Sequence, residues 1–100
     1  MLTKIIVLCI TLGISLIQGN TLEGVVLDSK NSKPISSANI QIKDTALGTS
    51  SDENGRFSID IDNMDSFELN ISVIGYKDTT ALIESEQLIG ITKFYLNQTA

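Results

Sequence analysis

The sequence predicts an all-β protein, a seven-stranded Greek-key β-sandwich, from three observations. After Asn20 the apolar residues recur at every second position, which is the period of a half-buried strand. Turn-forming residues return every eight to twelve residues, as they do in small sandwiches. No segment carries the period of an amphipathic helix, so helices are not expected in the folded part of the chain.

Residues 1–19 have the pattern of a cleaved signal peptide, so we expect the mature domain to span residues 20–100. Lys4 precedes an uncharged run of 13 residues, Ile5–Ile17, and Gly19 is a small residue suited to the cleavage point. A membrane-spanning helix needs about 20 apolar residues, which makes a retained membrane anchor the less favoured alternative.

The predicted mature chain is acidic and poor in reactive side chains. The only cysteine, Cys9, lies in the signal peptide, and Leu8 is not the small residue that precedes a lipidated cysteine. Histidine and tryptophan are absent. Once Lys4 is removed, the chain has twelve Asp and Glu and six Lys and Arg, which gives a net charge of −6. We therefore expect no nucleic acid partner, no contact with an anionic membrane and no membrane span in the mature chain.

The first half of the mature chain predicts three strands. Leu22–Asp28 is the first, and a polar turn that ends at Pro34 follows it. Ala38–Lys43 is the second, because its apolar and polar residues alternate without a break. Gly48–Ser51 is a short third strand of small residues, reached through a corner.

The second half predicts four more strands. Arg56–Ile61 is the clearest, since its aromatic and branched residues alternate with Ser and Asp. Phe67–Ile74 alternates in the same way, and Gly75 marks a bulge or bend after it. Tyr76–Glu84 and Ile91–Leu96 complete the set of seven.

The acidic stretch at residues 52–55, DENG, suggests either a calcium loop or a tight turn. With Gly55 at the sixth position of a calcium loop, Ile61 occupies the twelfth, where a bidentate Glu is required. Asp at the first position and Gly at the fourth are typical of a type I turn. We therefore expect the stretch to close a hairpin between Gly48–Ser51 and Arg56–Ile61, without a metal ion.

We predict no catalytic residue, no metal site and no cofactor. The mature chain has no His or Cys, which removes the usual base and nucleophile pairs and the ligands of zinc or iron. Asp60, Asp62 and Asp65 are the one candidate group of carboxylates. Asp60 and Asp62 alternate with apolar residues, so they are expected to face solvent.

Tyr76 and Tyr95 are the candidate residues for contact with a ligand or a protein partner. They are the aromatic residues that the strand pattern does not assign to the core, unlike Phe57 and Phe67. Exposed tyrosines beside polar groups would suit a carbohydrate site. The alternative is that each ring is half-buried at the end of a sheet with its hydroxyl in a hydrogen bond.

Four local patterns follow one another in a fixed order. They are Gly-Val-x-x-Asp at 24–28, Pro-Ile…Ala-x-Ile at 34–40, Gly-Thr…Asp-x-x-Gly-x-Phe at 48–57 and Ile-Gly-Tyr at 74–76. The ordered set, over residues 22–96, resembles the carboxypeptidase regulatory-like domain, a prealbumin-like or transthyretin-like β-sandwich.

The resemblance implies a non-catalytic accessory module. In bacteria this domain often stands between a signal peptide and the plug and barrel of a TonB-dependent outer-membrane receptor. It therefore implies a chain secreted across the inner membrane, in the periplasm or at the outer membrane. The implied partner is a protein of the cell envelope, either the receptor plug or barrel or a periplasmic protein.

Two alternatives accompany this interpretation. One is a carbohydrate-binding module of the same fold, and the other is an enzyme. Hydrolases of the transthyretin type depend on His and Arg, whereas this chain has no His and a single Arg, Arg56, so that activity is not expected.

No plug or barrel sequence occurs before Ala100, so we expect either a small secreted protein or the N-terminal piece of a receptor.

Overall fold

Period-two alternation produces strands throughout the part of the chain that the computed structural model describes, residues 20–88 and 90–99. The predicted all-β, seven-stranded sandwich is confirmed within these residues. The signal peptide predicted for residues 1–19 lies outside them. The elements are β1 (Asn20–Asp28), β2 (Asn39–Ile42), β3 (Gly48–Ser50), β4 (Arg56–Asp62), β5 (Ser66–Ser72), β6 (Thr79–Glu84), a 3-10 turn (Ser85–Gln87) and β7 (Ile91–Leu96).

The strands form two sheets that pack face to face. One sheet has three strands in the order β4-β1-β7, with β1 antiparallel to β4 and parallel to β7. The other has four antiparallel strands in the order β3-β2-β5-β6. Only β2–β3 and β5–β6 are hairpins between neighbours in the chain; the other connections cross between sheets, as in Greek-key sandwiches.

The core lies between the sheets and is built from the inward residues of both. The predicted core faces of β2, β4 and β5 are confirmed, because their apolar residues are buried and their polar residues are exposed. The carboxylates predicted to face solvent, Asp60 and Asp62, are exposed. The side chains with the least exposure are Leu22, Val26, Ile40, Ile42, Ile61, Leu69, Ile71 and Leu96.

The acidic turn forms, but the predicted hairpin around it is wrong. The N–H of Gly55 donates to the carbonyl oxygen of Asp52 at 2.8 Å, and Gly55 takes a φ of 76°. However, β3 pairs with β2 and β4 pairs with β1, so the two flanking strands belong to opposite sheets. The turn residues determine the local backbone geometry but not the pairing of the flanking strands. The turn connects β3 in one sheet to β4 in the other.

The predicted bend at Gly75 is present and shortens two strands relative to the sequence prediction. Gly75 has a φ of 95°, and the N–H of Tyr76 donates to the carbonyl of Val73 at 3.2 Å. As a result β5 ends at Ser72 and β6 begins only at Thr79.

Gly24 gives two aromatic rings their place in the core. The rings of Phe57 and Phe94 lie with their centroids 5.8 Å apart and an interplanar angle of 38°. A Cβ on Gly24 would come within 2.5 Å of the Phe57 ring and 2.8 Å of the Phe94 ring. The absence of a side chain at this position therefore lets β1 approach the aromatic pair.

We expect Gly24→Ala to lower the free energy of unfolding by about 1–3 kcal/mol, because both rings must leave their packed positions. Urea unfolding followed by tyrosine fluorescence measures the change. The double variant Gly24→Ala/Phe57→Leu provides the control, since a smaller side chain at 57 relieves the clash. Strictly additive effects of the two substitutions would contradict the contact.

Candidate functional site

Tyr95, one of the two predicted contact residues, lies on the outer face of the three-stranded sheet. It stands between Phe94 and Leu96 in β7, which are buried, and its own side chain is 48% exposed. In the parallel register it lies opposite Leu27 of β1. The ring is therefore accessible to a partner and rests beside an apolar neighbour.

Tyr76, the other predicted contact residue, is half-buried at the end of the same sheet. Its hydroxyl donates to Oδ2 of Asp28 at 2.7 Å. Asp28 shares the inward face of β1 with Leu22 and Val26 and is 2% exposed. Because Tyr76 bonds to an inward-facing group and Tyr95 faces outward, the two rings do not form one aromatic platform.

The buried carboxylate of Asp28 is the centre of a hydrogen-bond network. Nε2 of Gln98 and the hydroxyl of Tyr76 each donate to Oδ2 at 2.7 Å, and the backbone N–H of Lys30 donates to Oδ1 at 2.7 Å. These donors, with Gln98 first and Tyr76 second, hold the pKa of Asp28 at about 2. The bond to Asp28 raises the pKa of Tyr76.

This network ties together three parts of the fold that are distant in sequence. It joins the end of β1 to the turn before β6 and to the segment after β7, where Tyr76 and Gln98 also form an isolated β-bridge. The sequence prediction missed the role of Asp28. The available signal was its place as the last residue of the Gly-Val-x-x-Asp pattern, a polar residue at an inward strand position.

The Asp28 carboxylate makes stability depend on acid pH. Its pKa is about 2 in the folded chain and 3.8 as an isolated group, so the stability it contributes is present above pH 4 and disappears as the pH falls toward 2. We expect Asp28→Asn to lower the melting temperature at pH 7. The melting temperature of the variant should also fall less than that of the wild type as the pH drops toward 2. Melting temperatures between pH 2 and pH 7 test it, with the exposed Asp78→Asn as a control of equal charge change. Parallel curves for the wild type and Asp28→Asn would contradict the network.

The outer face of the three-stranded sheet carries cations beside apolar side chains. Val25 of β1 lies directly opposite Arg56 on one side and Lys93 on the other. Val25 and Leu27 are half-buried, and Tyr95 borders Leu27. Neither Arg56 nor Lys93 forms an ion pair with a described residue, whereas Lys43 on the other sheet pairs with Glu68 at 3.5 Å. Arg56 and Lys93 are thus available to an anionic group.

A shallow groove of about 360 Å³ crosses this face. Its walls include Glu23, Arg56, Ser58 and Ile91, which come from all three strands of the sheet. Ile91 is 44% exposed, so the groove offers an apolar contact as well as polar ones. Within residues 20–88 and 90–99, no three acidic side chains are placed to hold a metal ion.

Three of the patterns that carried the family resemblance meet at one end of the sandwich. The N–H of Val26 donates to the carbonyl of Gly55 at 2.7 Å, and the N–H of Ile35 donates to the carbonyl of Val26 at 2.9 Å. The buried hydroxyl of Ser51 donates to the carbonyl of Ile35 at 2.7 Å and accepts from the N–H of Ala38 at 2.9 Å. These residues satisfy one another's backbone groups, so the three patterns hold this end of the sandwich together.

The family model of the CarboxypepD_reg-like domain matches residues 22–99. The chain belongs to this family. The match confirms the resemblance drawn from the four ordered patterns and includes Asp28, Tyr76 and Tyr95. No curated protein sequence matches the chain. No helix in the described part of this CarboxypepD_reg-like domain is long and apolar enough to cross a membrane.

Among the solved structures that match this CarboxypepD_reg-like domain, two share its fold over most of its length. Both are type II cohesin–X-dockerin complexes from Acetivibrio cellulolyticus. A chain of the C-terminal interface mutant matches with a TM-score of 0.56 and 15% identity, over 78% of this chain and 57% of that chain. A chain of the N-terminal interface mutant matches with a TM-score of 0.50 and 19% identity, over 77% and 52%. The domain thus spans little more than half the length of the solved chains that it matches.

Proposed function

We propose that this CarboxypepD_reg-like domain is a secreted, non-catalytic interaction module of the bacterial cell envelope. In this proposal it is the N-terminal extension, or a piece, of a TonB-dependent outer-membrane receptor. It acts in the periplasm or at the outer membrane by binding the receptor plug or barrel, or a periplasmic protein.

The outer face of the three-stranded sheet is the observation that carries the proposal. It combines the exposed ring of Tyr95, the apolar floor of Val25 and Leu27, and the cations Arg56 and Lys93. Aromatic residues and Arg are enriched where proteins bind one another. The solved chains of the same fold come from cohesin–X-dockerin complexes, which supports a role in protein contact.

A carbohydrate-binding role is the second candidate, and Tyr95 is the observation that favours it. An exposed ring on the outer face of the sheet could stack on a sugar. Tyr76 adds little to such a site, because its hydroxyl is engaged by Asp28 beneath the sheet. Titration with soluble glycans at millimolar concentration tests this role. Tyr95→Ala should abolish any binding that uses the ring.

The envelope role is tested in producing cells with an affinity-tagged chain. We expect the chain to fractionate with the outer membrane and to copurify with a receptor of the TonB-dependent class. Tyr95→Ala should reduce recovery of that receptor, whereas Gln41→Ala, on the exposed face of the other sheet, should not. A wild-type chain that recovers no envelope protein, and whose deletion leaves the envelope unaltered, would overturn the proposal.

A further inference from the structure

Strand β7 has an open edge. The N–H of Ser29 donates to the carbonyl of Leu96 at 2.9 Å, which continues the parallel ladder between β1 and β7. Backbone groups alternate in direction along a strand, so the residues that alternate with Leu96 point away from β1. These are Ile91, Lys93 and Tyr95, and no described residue outside the strand bonds to their backbone groups. The first outward backbone group with a partner comes after β7 ends, where the N–H of Lys77 donates to the carbonyl of Asn97 at 2.8 Å.

The opposite edge of the same sheet, β4, is engaged in hydrogen bonds at both of its ends. At the start of β4, Arg56 exchanges hydrogen bonds with Asp52: its N–H donates to Oδ1, and its carbonyl accepts from the N–H of Asp52, both at 2.9 Å. At the other end of β4, the N–H of Asp62 donates to Oδ1 of Asp60 at 2.9 Å. These bonds occupy backbone groups at both ends of the β4 edge, and Asp60 and Asp62 make that edge acidic, unlike the edge of β7.

The edges of the other sheet differ from β7 in length or charge. Strand β3 has three residues and offers few pairing groups. Strand β6 is longer, and the bond from the N–H of Ser85 to the carbonyl of Asp65 places Thr80, Leu82 and Glu84 toward its open side. Glu84 makes that edge acidic, whereas Lys93 makes the edge of β7 basic.

The outer face of the three-stranded sheet carries two cations although the whole chain is acidic, and one of them, Lys93, lies on the β7 edge. Of the six Lys and Arg that the structure describes, Lys43 follows β2 of the other sheet and pairs with Glu68. Lys93 and Arg56 flank Val25 on the outer face. The remaining three, Lys30, Lys33 and Lys77, lie in the loops beyond the ends of β1 and β5. Opposite charges on directly paired strands stabilise a sheet.

We propose that the open edge of β7 binds an extended acidic segment of a protein partner, which adds a fourth strand to the β4-β1-β7 sheet. The segment's backbone pairs with Ile91, Lys93 and Tyr95. A carboxylate of the segment lies across from Lys93 on the outer face, and the apolar side chains that alternate with it face the other way. This inference rests on the proposed function, for which it names the surface and the chemistry of the partner.

The charge of Lys93 disfavours a second copy of this chain as the occupant. Two β7 edges that paired antiparallel about a two-fold axis at Lys93 would place the two ammonium groups directly opposite each other. Like charges at directly opposed positions destabilise strand pairing. An acidic strand instead places a carboxylate opposite the Lys93 ammonium group, and opposite charges stabilise strand pairing.

The test measures fluorescence anisotropy of a fluorescein-labelled ten-residue peptide in which Glu alternates with Val. A second peptide, in which Lys alternates with Val, is the reference. We expect the Glu peptide to bind the wild-type chain at low salt and to bind Lys93→Glu about tenfold more weakly. The Lys peptide should bind Lys93→Glu better than it binds the wild type. Lys43→Glu makes the same change in net charge on the other sheet and should leave both affinities unchanged.

Amide hydrogen exchange locates the bound peptide. Slower exchange at Ile91, Lys93 and Tyr95 supports strand addition at β7. Equal affinity for the wild type and Lys93→Glu, or protection at β6 alone, would overturn it. So would a concentration-dependent dimer in sedimentation that protects β7 without a peptide. If Lys93→Glu still captures the envelope receptor as the wild type does, the edge inference fails while the proposed function stands.

Discussion

Phe57→Ala is expected to lower the free energy of unfolding by about 3–5 kcal/mol. The Phe57 ring is buried between the sheets, contacts Phe94 and covers Gly24. Its removal leaves a cavity that the strand backbones cannot close, and a domain of this size has a stability of only about 5–15 kcal/mol in total. Urea or thermal unfolding of the purified domain measures the change.

The neighbouring substitution Ser58→Ala serves as the control. Ser58 is exposed on the other face of the same strand, so the change should stay within about 0.5 kcal/mol. If both substitutions had small and equal effects, the inward face assigned to β4 would be wrong.

Gly55→Ala is expected to destabilise the domain by about 2–4 kcal/mol, from two separate causes. Gly55 has a φ of 76°, a conformation that a residue with a Cβ adopts only at a cost. In addition, the new Cβ would lie 2.7 Å from the carbonyl oxygen of Val26 and 3.0 Å from Cβ of Pro34. The oxygen of Val26 accepts from Ile35, so it cannot move without breaking that bond.

Gly75→Ala separates the two causes. Gly75 also has a positive φ, of 95°, but a Cβ there would have no atom within 4 Å. Its substitution should therefore cost only the backbone term, about 1–2 kcal/mol. Equal losses for Gly55→Ala and Gly75→Ala, measured by chemical unfolding, would show that the contact with Val26 contributes nothing.

The sequence predicts the strands well because each strand signals its own buried face. In β4, the alternation of Phe57, Ile59 and Ile61 with polar residues determines which side faces the core without any knowledge of the neighbouring strands. The same holds for β2 and β5. The turn at Asp52–Gly55 was also predicted, since Asp and Gly at its two ends determine its backbone geometry.

Strand pairing could not be predicted in the same way, because it is decided by contacts distant in sequence. The turn at Asp52–Gly55 looks like a hairpin turn, yet β3 and β4 find their partners in different sheets. The parallel pairing of β1 with β7 brings together residues nearly seventy positions apart, such as Val25 and Lys93. No local pattern shows that Arg56 and Lys93 flank one apolar residue.

The surroundings of the two candidate contact residues could be predicted only in part, for the same reason. Tyr95 was selected because the strand pattern did not require it in the core, and it is exposed. Tyr76 was selected by the same reasoning, but its hydroxyl meets Asp28, 48 residues earlier in the chain. That long-range bond holds the Tyr76 ring at the end of the sheet, away from the outer face that carries Tyr95.

Site-specific photo-crosslinking in producing cells tests most directly whether the domain acts by protein contact at its three-stranded sheet. A benzophenone amino acid replaces Tyr95 on that sheet or, in a second variant, Gln41 on the exposed face of the other sheet. We predict an adduct with one envelope protein from position 95 and none from position 41. The absence of an adduct at position 95, or equal adducts at both positions, would contradict the proposed interaction surface.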